Sequence, residues 1–185
     1  MLMFGSAHPG EGKTTVCGSF AATLAQNFGK SVLILDGDRD HALLRHWGSD
    51  KDVSLSALGK SPESVLQGGK RLGARGSISV VPLGSLIGSA QADSPELGLL
   101  ATIKERLTKT FNYVLIDAPA IADVSWITSI AAVTDGVILV VEAERTRWPV
   151  ALNTKQEFES GGAKVLGAFL NKRRFYIPAR IYRQL

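Results

Sequence analysis

A chain of 185 residues and 19.8 kDa, with 45% hydrophobic and 21% charged side chains, sits near the average for globular domains and is long enough to bury roughly 70% of its unfolded surface, which excludes a disordered chain and a disulfide scaffold. Lys and Arg number 21 against 17 Asp and Glu, but Lys172, Arg173, Arg174, Arg180 and Arg183 lie in residues 172–185 with no acid among them, so the rest of the chain is near neutral. The basic pI of about 9.3 belongs to a tail and argues against a nucleic-acid-binding face.

Short runs of Val, Ile and Leu recur at 2–6, 31–36, 78–83, 112–119, 135–142 and 163–171 and read as strands buried on both faces. Between the first two, Thr14 to Phe28 carries Val16, Phe20, Leu24 and Phe28 at a spacing of four, predicting one apolar helix face, with Gly29 as its stop. Residues 50–76 are richer in Gly, Ser and Lys and predict short helices near 54–58 and 62–66. Ser94 to Thr110 predicts another helix, opened by Ser94, Pro95 and Glu96. Alternating strands and helices give an α/β, doubly wound, mostly parallel sheet with helices on both faces. Residues 1–171 read as one domain and 172–185 as a basic, aromatic tail. In such a sheet ligands bind beyond the carboxyl ends of the strands.

Three strand ends carry chemistry. After the first strand, Ala7-His8-Pro9-Gly10-Glu11-Gly12-Lys13-Thr14 has phosphate-loop spacing, with Ala in the first slot. Gly10 and Gly12 let the main chain turn its amides inward, and the helix that follows adds amides of its own. Lys13 reaches the β- and γ-phosphates and Thr14 ligates Mg²⁺; the plain alternative is a glycine turn capping an ordinary helix. The second strand ends in Asp36-Gly37-Asp38, two carboxylates for one metal-phosphate centre, or a solvated turn in which Asp38 or Asp40 caps a helix. The fourth run ends at Asp117, a carboxylate placed for the Mg²⁺ shell or for capping the next helix.

These motifs resemble those of the bacterial tyrosine kinase (BY-kinase) family, a branch of the P-loop ATPases that includes the Min and Par proteins. Pro9 to Thr14 fits its Walker A motif, Leu33 to Asp38 its Walker A′ strand, and Asp117-Ala118-Pro119-Ala120 approximates its Walker B end. The resemblance implies ATP and Mg²⁺ as cofactors and a nucleotide held by Pro9, Gly10, Glu11, Gly12, Lys13, Thr14 and Thr15. By the same resemblance Asp36 acts as base, Asp38 and Asp117 join Thr14 at the metal, and Asn171 approaches the adenine. It further implies a tyrosine autokinase of exopolysaccharide synthesis working with a membrane polysaccharide chain-length regulator, with self-association and only peripheral membrane contact. A Min/Par-like ATPase switch that dimerises or docks a partner is the alternative. His8 stands where Min and Par proteins usually carry lysine, which favours the kinase branch. The sequence departs from the family at Arg39-Asp40-His41-Ala42, at Trp126, and in a tail holding only Tyr176 and Tyr182.

Other conspicuous residues read as structural. His41 and His46 have no partners at metal-ligand spacing, and Trp47, Trp126 and Trp148 read as packing, with Trp126 near the Walker B loop. Cys17, the single cysteine, fits a reducing compartment and sits where a helix amino end could lower a thiol pKa. Asn171-Lys172 matches part of a guanine reader, but Arg174 replaces its Asp, so ATP is expected over GTP. No run reaches the roughly 18 apolar residues of a membrane span and the first ten residues lack signal-peptide character, so the expected location is the cytoplasm, at the inner face of the membrane if a partner holds it there.

Overall fold

The computed structural model describes residues 1–37, 41–47, 70–72, 76–83, 97–124 and 126–174. Seven strands and five helices alternate through these: β1 Leu2–Gly5, α1 Lys13–Phe28, β2 Ser31–Asp36, α2 Ala42–Trp47, β3 Lys70–Leu72, β4 Gly76–Pro82, α3 Leu97–Thr110, β5 Tyr113–Asp117, α4 Ile127–Ala132, β6 Gly136–Glu142, α5 Trp148–Ser160 and β7 Val165–Asn171. The helices expected near 54–58 and 62–66, the opening turn at 94–96 and most of the tail lie outside the described residues.

The strands form one sheet in the order β3-β4-β2-β5-β1-β6-β7. All neighbours pair in parallel except β3, which runs antiparallel to β4 at the edge. The six expected strands are all present. Residues 70–72 form a seventh that periodicity missed, because Lys-Arg-Leu carries neither alternation nor β-branching.

Because successive side chains of a strand point to opposite faces, each central strand feeds two cores. Val32 and Ile34 join Phe4, Ile78, Val80, Leu115 and Val140 beneath α1 and α2. Leu33 and Leu35 join Met3, Val81, Val114, Ile116, Val137 and Leu139 on the other face, where α3 supplies Ile103 and Leu107, α4 Ile127 and Ile130, and α5 Phe158. Truncating such a fully buried side chain costs about 2–5 kcal/mol.

Helix α1 begins one residue before its expected start and ends as expected, but its buried face differs. The sheet-facing residues are Val16, Cys17, Gly18, Ala21, Leu24 and Ala25, whereas Phe20 and Phe28 are 36% and 63% exposed. Small residues let α1 lie close to the sheet, so close that a β-carbon at Gly76 would stand 1.9 Å from the Ala25 carbonyl oxygen. A bulky stripe could not approach to that distance. Trp47 and Trp126 pack against the two cores, but Trp148, at the first turn of α5, is 76% exposed rather than packed.

Candidate functional site

The ends of β1, β2 and β5 meet along one rim of the sheet. Parallel pairing sets Asp36 opposite Asp117 in register, and Asp117 opposite Phe4. The segment after β5 is fastened to the end of β1 through Ala118 N to Phe4 O and Ile121 N to Ser6 O, both 3.1 Å, and Gly37 N donates to the Asp117 carbonyl at 2.9 Å. Three chain crossings thus hold the rim together by main-chain bonds before any side chain acts.

The glycine loop crosses this rim. Gly10 and Gly12 have φ of 82° and 92°, a region that side-chain-bearing residues avoid, and the Gly12 carbonyl accepts the first turn of α1 from Val16 N at 3.0 Å. Lys13 is buried, with Nζ donating to Ser6 Oγ at 2.9 Å, and Ser6 Oγ donating in turn to the His8 carbonyl at 2.8 Å. The ammonium is therefore positioned from Ser6, the residue that follows β1. A cleft of about 470 Å³ opens here, walled by Gly10, Gly12, Lys13, Thr14 and Thr15 on one side and by Gly37, Ala118, Pro119, Ala120 and Asp123 on the other.

Glu11 turns its carboxylate away from this cleft. It accepts from His8 N at 2.9 Å, from Glu142 N at 3.5 Å and from the Thr146 hydroxyl, and it is 2% exposed. Burial raises its pKa, but the hydrogen bonds from His8, Thr146, Glu142 and Ser6 outweigh that and hold it below the usual glutamate value. Beyond it lies a second cavity of about 230 Å³ bordered by His8, Pro9, Arg145 and Arg147.

Asp36 and Asp117 are fully buried. Asp36 Oδ2 accepts from Leu44 N at 2.8 Å, in the first turn of α2; Asp38 and Asp40, and with them the capping alternative, lie outside the described residues. Cys17 sits beneath the same rim, fully buried; burial, then the charges of Asp117 and Asp36, push its thiol well above the ordinary range. The helix-end effect that would lower it loses to desolvation and the like charges nearby.

At the end of β7, Asn171 Nδ2 donates to the Glu11 carbonyl at 3.0 Å, which brings the side chain expected near adenine onto the glycine loop. Thr14, Thr15 and Pro9 border the cleft. Two further cleft residues were missed, Asp123 and Lys172. Asp123 has no signal beyond lying six residues past Asp117, while Lys172 was visible only as part of an incomplete guanine reader.

The sequence family described as cellulose biosynthesis protein BcsQ matches residues 1–156. A protein of Streptococcus agalactiae named tyrosine-protein kinase CpsD is 30% identical over 177 residues, covering 93% of this chain and 75% of that one. The chain belongs to the bacterial tyrosine kinase family of P-loop ATPases. The crystal structure of the VpsO kinase domain superposes with a TM-score of 0.67 at 27% identity, over 94% of this chain and 84% of that one. The septum site-determining protein MinD of Pyrococcus horikoshii, complexed with Mg-ADP, superposes with a TM-score of 0.62 at 19% identity, over 100% and 77%, a likeness of fold. The fold and the family are those of nucleotide-binding proteins. Among the described residues no helix is long and apolar enough to cross a membrane.

Proposed function

We propose that the protein is an ATP-dependent phosphotransferase of the tyrosine-kinase type in exopolysaccharide synthesis, using Mg²⁺ and working beside a membrane polysaccharide chain-length regulator. The observation that carries this reading is the single cleft in which Lys13, Thr14 and the glycine loop face the segments that follow β2 and β5. The name of the streptococcal relative, a tyrosine-protein kinase, supports the kinase chemistry, the cellulose-biosynthesis family supports the polysaccharide role, and the Mg-ADP complex of MinD supports the cofactor.

In this reading the amides of Gly10 to Lys13 cradle the phosphates, Pro9 and Thr15 wall them, and the Lys13 ammonium offsets charge on the transferred phosphoryl group. The Thr14 hydroxyl and the Asp38 and Asp117 carboxylates are oxygen donors suited to a hard cation; Mg²⁺ held there would neutralise charge between the β- and γ-phosphates. Asp36, fixed by the Leu44 amide, is the base toward the attacking hydroxyl or water, and Asn171 borders the adenine.

A second reading is supported by the likeness of fold to MinD: a Min/Par-like switch whose ATP-bound state dimerises or docks a partner. Incubating the purified chain with Mg²⁺ and γ-labelled ATP separates them. Label on tyrosine, lost in Lys13→Met, is expected; free phosphate with no labelled tyrosine, with or without the chain-length regulator, supports the switch. Absence of ATP binding by calorimetry overturns both.

A further inference from the structure

The end of β7 reaches across to the phosphate loop and grips it at two consecutive main-chain carbonyls. Asn171 Nδ2 donates to the Glu11 carbonyl at 3.0 Å, and Lys172 Nζ donates to the Gly10 carbonyl at 2.5 Å. A planar trans peptide places its C=O and the following N–H on opposite sides. Pinning the Gly10 oxygen toward β7 therefore turns the Glu11 N–H the other way, and pinning the Glu11 oxygen does the same for the Gly12 N–H. Amides so directed are what a glycine-rich loop offers to phosphate oxygens. We propose that Asn171 and Lys172 form a clamp that fixes the direction of the Glu11 and Gly12 amides, with Lys172 a positioning residue for the loop rather than a phosphate ligand.

Three further observations converge on the clamp. Lys172 has φ of 55°, a left-handed conformation that lysine adopts only where its surroundings over-determine it. Its ammonium also meets Glu142 Oε2 at 3.2 Å, and Arg145 reaches the same oxygen at 3.3 Å, so the clamp is tied to the end of β6 as well as to the loop. A β-carbon at Gly12 would come within 2.1 Å of Asn171 Nδ2; the clamp closes where only glycine fits. Together with the side-chain bonds of Glu11 to Glu142 N and Thr146, the loop is braced by both strands on that side of the sheet.

The binding half of the test rests on the nucleotide reading above, and a second half does not. Lys172 is 44% exposed in its side chain, so its variants are expected to fold, as checked by circular dichroism. In the full chain with Mg²⁺, Lys172→Met is expected to weaken ATP and ADP about equally by calorimetry, by roughly 10-fold or more for loss of a charged donor, and Lys172→Arg to recover most of the affinity. Asn171→Ala is expected to weaken both nucleotides too, with the double variant losing less than the product of the single losses, because the two residues hold one loop. A loss confined to ATP makes Lys172 a γ-phosphate ligand and overturns the proposal, as does unchanged affinity for both. In the nucleotide-free protein, the Glu11 and Gly12 amide resonances are expected to shift and exchange faster in Lys172→Met while those of β2 stay in place. Unmoved loop amides overturn the clamp even if the wild-type chain binds no nucleotide, an outcome that would sink only the earlier reading.

Discussion

Strands β2 and β7 draw on much the same apolar residues, SVLILD against VLGAFLN, and occupy opposite surroundings. β2 buries every residue from Val32 to Asp36, with β4 and β5 on its two edges and a core on each face. Among the described residues β7 pairs with β6 alone, and Leu166, Phe169 and Leu170 are about half exposed. Place in the sheet, not composition, decides which apolar strand carries stability. The division extends to the site. The central strands deliver carboxylates that are fully desolvated, while the edge strand delivers an amide and an ammonium that grip main chain from a partly open position.

The sharpest way to break this contrast is at the site the central strands frame. Lys13→Met is expected to lower phosphoryl transfer by at least about 10³-fold, as for loss of a main electrostatic stabiliser, in a phosphate-release or labelling assay; a variant with near-normal turnover would end the reading of Lys13. Next comes stability. Leu33→Ala in β2 should cost about 2–5 kcal/mol in urea unfolding, and Leu170→Ala in β7 no more than about 0.5 kcal/mol; equal losses would show that the edge is packed in solution.

A smaller effect tests how the loop is held. The folded-state pKa of Glu11 lies below its ordinary value of 4.5, so its ionised form contributes stability that is fully present above that value and is lost as the pH falls through the lower folded value. Wild type should therefore lose more stability than Glu11→Gln between pH 7 and pH 3, measured as the shift in urea midpoint; identical pH profiles would remove the Glu11 network from the account. Smallest is a rate effect at Cys17. With its thiol fully buried and its pKa raised, it should react with a disulfide reagent at pH 8 only as fast as the protein opens, and at once in denaturant.

The fold was legible because a strand buried on both faces must be apolar throughout, and six such runs with helices between them leave few topologies. The places of the glycine loop and of the aspartates that end β2 and β5 were legible because each directly follows or closes an apolar strand. What stayed hidden has no such local demand. The true face of α1 depends on how closely Gly76 lets it approach, which a spacing of four cannot express. Trp148 looked like packing because bulk is all that a sequence shows of it. The Asp36 bond to Leu44 and the Lys172 hold on Gly10 join residues 8 and 162 positions apart, and only the folded sheet brings them together.

The near-contact of β4 with α1 at Gly76 and Ala25 gives that crossing a mechanical meaning. Ala25 lies about 18 Å along the helix from Lys13, at 1.5 Å per residue, and between them Val16, Cys17, Gly18, Ala21 and Leu24 seat the helix on the sheet. A single methyl group added at position 76 would have to displace the Ala25 turn of the helix, and on the function proposed above it is expected to lower turnover from a position outside the cleft.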